Sequence, residues 1–385
     1  MNIALDGSVK AVDFNGQDIA EVIFNDTPVW KKPAAGQIYG ASWGGSSSTF
    51  LTRTDASAGF ATPNPYVADG NHPGRSPFDN IMPWAGMTIE AINDNVLVKI
   101  PKFWYKITTG TGNAISFQIA NYPADGFNVS PAHQDRGDGV GERDYVYVGR
   151  YHSISGYKSK SGAAPLTNIT RATGRTNIKK LGTGFYLWDY ATLVTIWILY
   201  IVEFANWNSQ ACIGYGCSNG RSKHNTGATD SMPYHTGTIA TSRTSYSNGC
   251  QYRGIEDLWG NVFDWVDGIR FSGSEIYIYK NPSKFSDSSG GVNTGTRPTT
   301  SSGYISSWKQ PSITGYDWAV YPGAVSGSDS TYIPDHCTYS SYGEVLFVGS
   351  EPYNSLYYGL FYLNGGSAAS SSIMTLGVRI MYLPG

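Results

Sequence analysis

The sequence predicts an α+β fold, rich in strands and loops, with two main helices and a small β module in front. Three observations carry that prediction. Aromatic residues make up 14 % of the 385 residues, led by 28 Tyr and 11 Trp beside 46 Gly, which suits turn-rich, pleated packing better than a helical bundle. Apolar residues recur in brief alternating runs bounded by Gly, Ser, Asn and Pro. Only two stretches carry clear helix signals.

Residues 1–33 stand apart. Val12, Phe14, Ile19, Val22, Phe24 and Val29 alternate with polar positions, and Asn15-Gly16 and Asn25-Asp26 are turn signals, so short strands joined by tight turns are expected. A unit this small buries little surface by itself, which points to an attachment module that docks on a neighbour, another copy or a larger assembly. "KKPAAGQ" then reads as a linker into one large domain, 34–385.

Within that domain "NVLVKIPKFWYKI" (95–107) alternates as one strand. "TNITRATGRTNIKKLGTGF" reads as the first helix, with Asn168 or Thr170 to cap it and Gly182 to end it. The second runs from about Tyr190 to Trp207. Its uncharged stretch "YATLVTIWILYIV" is 13 residues, short of the roughly 20 that span a bilayer, so a buried core helix is expected. The tract from Gly214 to Gly249 has almost no apolar periodicity and reads as a long loop. "TLGVRIMYL" alternates Leu376, Val378 and Ile380 against Thr375, Gly377 and Arg379, the pattern of a half-buried closing strand.

Charge and motif content narrow the function. With 27 basic and 29 acidic residues and no Lys/Arg stripe, neither nucleic acid nor a membrane surface is an expected partner. The start lacks a basic segment followed by an apolar one, so synthesis in the cytoplasm without a signal peptide is expected. Cys212, Cys217, Cys250 and Cys337 are too scattered for a disulfide scaffold; buried thiols are the expectation, with one disulfide left open. The six histidines form no metal-binding pair, and no phosphate loop or nucleophile elbow appears, so no catalytic residue, metal or cofactor is assigned. "DRGDGVGERD" (135–144) packs carboxylates with glycines; a solvated turn is the favoured reading and a calcium loop the alternative. Arg136-Gly137-Asp138 inside it reads as coincidence.

The most specific stretch is "GIEDLWGNVFDWVDG", 254–268. Leu258, Trp259, Val262, Phe263, Trp265 and Val266 supply a dense apolar cluster, Gly260-Asn261 a turn, and Asp257 and Asp264 acceptors for backbone amides. The pattern resembles the signature of the formylglycine-generating-enzyme type of C-type lectin fold, and "LGVRI" (376–380) is similar to that family's closing strand. The fold hosts enzymes and binders alike. The enzymes carry paired cysteines near the end of the domain, whereas here the last fifty residues hold Cys337 alone. The calcium-dependent lectins use Glu-Pro-Asn and Trp-Asn-Asp, whereas this chain has Glu351-Pro352-Tyr353-Asn354 and Trp207-Asn208-Ser209.

The third branch comprises variable receptor-binding proteins diversified by retroelements, phage tropism determinants among them. The resemblance places the variable region at about 345–375. From Ser350 to Leu376 the chain has four Tyr, six Ser, three Gly and two Asn in 27 residues, the composition of an antibody paratope. Adenine-directed mutagenesis of Asn codons yields no Lys, Gln or Trp, and none occurs from Val345 to Ile380. Segments such as "SPFDNIMPWAGM" and "EFANWNSQACIGYG" are similar to ones in phage and prophage tail proteins.

The expected ligand-binding residues are therefore Phe347, Ser350, Glu351, Tyr353, Asn354, Ser355, Tyr357, Tyr358, Ser367, Ser371, Ile373 and Met374. Leu360, Phe361 and Leu363 are expected to be buried; the alternative for Tyr357, Tyr358 and Tyr362 is core packing. The resemblance implies a phage or prophage receptor-binding protein in a virion tail. Its partners would be a host-cell surface protein or glycan and, through the first module, other tail proteins, with a homotrimer as the assembly. A formylglycine-generating-type enzyme and a non-diversified structural tail protein are the competing readings.

Overall fold

A computed structural model describes residues 36–385 apart from 46–47, 219, 221, 299–301 and 355–356, together with the backbone of the strands between 13 and 31. The chain divides into two compact units, Met1–Gln37 and Ile38–Gly385.

In the first unit Asp13–Phe14 pairs antiparallel with Gln17–Asp18, and Glu21–Phe24 with Thr27–Lys31. Each pair flanks one of the two turn signals. Val12, Ile19 and the turn dipeptides themselves lie outside the described residues.

The second unit is mostly β, with few helices. One antiparallel sheet runs Asn128–Val129, Trp104–Thr109, Ile115–Ala120, Ile38–Trp43, Thr52–Asp55. Another runs Phe185–Leu187, Ile380–Tyr382, Tyr145–Gly149, Asn95–Pro101, Thr88–Ile92. The largest runs Val292–Thr296, Glu275–Ile278, Phe263–Ser272, Val345–Gly349, Leu363–Ser367, His336–Tyr339, Ser302–Lys309, Tyr321–Val325, with Leu376–Val378 added in parallel to Phe263–Trp265. The single strand expected over 95–107 is thus two strands in two sheets. Pro101 lacks the N–H a continuing ladder needs, and the chain crosses between layers at Lys102-Phe103.

Helix α1, Arg171–Ile178, is capped by Thr170, whose Oγ1 accepts from Thr173 N at 3.2 Å, and its last turn tightens over Lys179–Leu181 before Gly182. Every residue of helix α2, Tyr190–Phe204, is buried, as its mostly apolar sequence requires, and its one charged side chain, Glu203, is paired with Arg253. Asp189 caps it, accepting from Thr192 N at 3.0 Å. It stops three residues short of the expected end, where Ala205 turns left-handed at φ 50°. Asn208 caps a further short helix, α3, Ser209–Ile213, which the sequence pattern did not signal.

α2 packs against both Ile115–Ala120 and Phe263–Ser272, so the core gathers around it. Trp197 meets Trp308 and Phe361 at 5.4 and 5.7 Å between ring centroids, and Trp207 meets Phe361 and Trp43 at 5.0 and 5.7 Å. No helix among the described residues is long and apolar enough to cross a membrane.

The stretches 254–268 and 376–380 meet inside the molecule. Arg379 is fully buried; its Nε donates to Asp264 Oδ2 at 3.0 Å, and its terminal nitrogens donate to the carbonyls of Gly149, Glu256 and Asp257 at 2.9–3.0 Å. Burial would raise the Asp264 carboxyl, but His152 and Arg379 hold it below the ordinary aspartate value. The half-buried closing strand is corrected accordingly. It divides at Arg379, and residues 376–381 are buried on both faces because Arg379 spends its charge on internal acceptors.

Candidate ligand-binding face

The register of the largest sheet sets the site. Phe263 lies opposite Gly349 on one side and Leu376 on the other, so residues 350 onward and residues up to 375 meet at one end of the sheet. Gly349, at φ 86°, turns the chain out of its strand there. The described residues 350–354 and 357–362 lie between that strand and Leu363–Ser367, its antiparallel neighbour.

Both ends of this loop are fastened. At the first, Ser350 Oγ bonds Ser218 Oγ and accepts from Gly260 N, each at 2.7 Å. At the second, Asp335 accepts from Gly359 N and Phe361 N at 2.8 Å, Ser209 Oγ accepts from Leu360 N at 2.9 Å, and Trp197 Nε1 donates to Leu360 O at 3.0 Å. A Cβ on Gly359 would sit 2.7 Å from both Asp335 Oδ1 and Ser209 Oγ, so only glycine fits that approach. Asp335 is wholly enclosed; desolvation pushes its carboxyl up to about 7, partly offset by the Phe361 and Gly359 amides.

Between the fastenings the described side chains differ in exposure. Tyr353 is 72 % exposed, Glu351 and Asn354 are half-buried, and Pro352 is buried beneath them. Tyr357 and Tyr358 are half-buried with rings 4.8 Å apart. Tyr357 stacks on His336 at 4.1 Å, and its carbonyl accepts from His336 N at 3.0 Å. Tyr304 meets His336 edge-on at 4.1 Å, extending the aromatic surface onto Ser302–Lys309. Ile373 and Met374, 45 % and 74 % exposed, arrive at the same end of the sheet, where Lys223 Nζ donates to Met374 O at 2.7 Å.

Several expected positions fall elsewhere. Phe347 is buried, its ring 4.8 Å from Phe263 and 5.8 Å from Trp265, because Val345–Gly349 is an interior strand paired on both sides. Ser350 is likewise buried, its hydroxyl spent on the loop's first anchor. Neither presents a side chain to an outside ligand. Ser367 pairs with Val345 at the far end of the strand, roughly 13 Å from the loop at about 3.3 Å per residue. Ser371 is half-buried, its N–H donating to Ala368 O at 3.0 Å on the way between the two ends. Ser355 lies outside the described residues. Leu360, Phe361 and Leu363 are buried as expected, although the strand begins only at Leu363, and Tyr362 joins them.

Residues the sequence reasoning missed are Tyr304, His336 and Asp335 beside the loop and Tyr342, 72 % exposed, at the Ser367 end. All precede position 345, and no local pattern marks them; only strand pairing brings them alongside.

Among the described residues no group of three or more His, Cys, Asp or Glu is placed to hold a metal ion. The carboxylate of Asp138 pairs with Arg143 at 2.6 Å, and Arg136 is buried, so Arg136-Gly137-Asp138 is not displayed as a unit. All four cysteines are free and buried; burial raises every thiol pKa, those of Cys212 and Cys217 to about 11.

Comparison with known proteins adds little. No protein-family model matches the chain, and no curated protein is similar to it in sequence. Among solved structures, PvdO from Pseudomonas aeruginosa is similar over 77 % of this chain and 98 % of its own, at 11 % identity and a TM-score of 0.34.

Proposed function

We propose that this chain is a receptor-binding protein of a phage or prophage tail. On this reading a C-type lectin fold of the formylglycine-generating-enzyme type displays a diversified surface centred on Tyr353, Asn354, Tyr357 and Tyr358. The single observation that carries it is that Ser350 and Gly359–Phe361 are fastened to the core while, between them, Tyr353 is 72 % exposed and Tyr357 and Tyr358 half-exposed. Such a segment can change its exposed side chains without disturbing what holds it, and tyrosine offers large contact area at small entropic cost. The meeting of Asp264 and Arg379 supports the lectin part of the reading, since it joins the two stretches that resemble that family's signature. Four enclosed thiols with raised pKa values favour binding over thiol chemistry, which needs an accessible thiolate.

The test is to sequence the locus in sibling isolates. Substitutions concentrated at Glu351, Tyr353, Asn354, Tyr357, Tyr358, Ile373 and Met374, sparing Phe347, Ser350, Gly359 and Phe361, are expected; drift spread evenly over the domain removes the proposal. A pull-down from host cells beside a glycan array then identifies the receptor.

A further inference from the structure

A pocket lies beside the Val292–Thr296 edge of the largest sheet, between residues 135–137, the segment 278–284 and Tyr316. It shares no residue with 345–375. Its volume is about 440 Å³, room for a sugar ring rather than a bare anion alone. Three cations, Arg136, Lys280 and Lys284, line it against one carboxylate, Asp135.

Arg136 is a built feature of this pocket. Its side chain is 1 % exposed; Nε donates to Lys280 O at 2.6 Å, and one terminal nitrogen pairs with Asp189, the cap of α2. The other terminal nitrogen, Nη1, is buried and has no hydrogen-bond partner. That guanidinium is sealed inside and paired with Asp189, so it braces the pocket wall while Lys280 and Lys284 carry the charge open to a ligand. Asn281 Nδ2 donates to Gly137 O at 2.7 Å, stitching the two walls together. Lys280 Nζ sits 4.9 Å from the Tyr316 ring centre with no carboxylate within ion-pair distance among the described residues. Burial and the neighbouring Arg136 lower its pKa, with Asp317 and Asp135 offsetting part of the effect. Lys284 is exposed at the rim, and Val292, 37 % exposed, adds an apolar edge near Tyr316.

We propose that this pocket binds an acidic sugar, its carboxylate or sulfate held by Lys280 and Lys284 and its ring resting against Tyr316 and Val292. The site is independent of the tyrosine loop and would give the protein a fixed anionic-glycan contact alongside a changeable one.

Ligand-observed NMR and calorimetry on the full chain test it, with glucuronate, N-acetylneuraminate and glucose 6-sulfate as probes and glucose and inorganic phosphate as controls. Saturable binding of at least one acidic sugar is expected, with glucose inert and phosphate weaker. The Lys280→Gln/Lys284→Gln variant should bind about tenfold or more weakly, the loss expected when charge-assisted contacts are removed, at an unchanged thermal midpoint. Lys284→Glu, at an exposed position, repeats the test where the double variant folds poorly. Tyr353→Ala should leave acidic-sugar binding intact, which separates this site from the loop. Equal binding of glucose, phosphate as tight as the best acidic sugar, or wild-type affinity in both lysine variants overturns the proposal.

Discussion

Tyr353 and Tyr362 are nine residues apart and opposite in role, one 72 % exposed, the other 3 %. Replacing Tyr353 by Ala removes contact area only, so on the receptor-binding reading cell attachment should fall about tenfold or more while the thermal midpoint stays put. Tyr362→Ala opens the core beside Phe263 and should cost about 3–5 kcal/mol, read by urea unfolding. Asp335 makes a pH prediction. Its folded pKa of about 7 lies above the roughly 3.9 of an unfolded aspartate, so the folded state binds the extra proton between them. Its contribution to stability is therefore complete below about pH 4 and is lost as pH rises through 7. Unfolding followed from pH 4.5 to 8 should show this decline in the wild type and a flatter profile in Asp335→Asn, which cannot titrate there.

The elements around the site differ in how visible they are beforehand. α2 was plain from its uninterrupted apolar run, and Thr170 was one of two caps the pattern offered. The division at Pro101 was written in the residue itself, yet alternation on either side of it masqueraded as continuity. Phe347 misled because its place next to the variable region is a matter of sequence, whereas its burial comes from strands on both flanks, 263–272 and 363–367. Tyr304, His336 and Asp335 were invisible for the same reason: pairing across 32 residues sets Tyr304 against His336. For the loop as an element, Gly359→Ala forces a methyl against Asp335 and Ser209 and should destabilise by about 1–3 kcal/mol. Ile373→Asn and Met374→Ser, on exposed positions, should stay within about 0.5 kcal/mol by the same denaturant measurement.

At the scale of the molecule, Arg379 ties together stretches far apart in the chain: Gly149 and Arg150, Glu256 and Asp257, and Asp264. Arg379→Met leaves Asp264 charged in the interior without that partner and should cost about 3–5 kcal/mol, visible as a lowered urea midpoint and faster cleavage by trypsin. The α+β character and the closing role of 376–382 could be read in advance from composition and alternation. That the final strand is sealed on both faces could not, because an arginine reads as a surface residue until its internal acceptors are known.

The slot filled by Leu376–Val378 and Arg379 has a consequence for biosynthesis. A stop codon anywhere from 350 to 375 would release from the ribosome a polypeptide lacking its keystone, with Asp264 deprived of Arg379 and the edge of Phe263–Trp265 bare. Nonsense alleles in this stretch should therefore be cleared by cellular proteolysis, so every copy that survives to maturity has been translated through the whole interval.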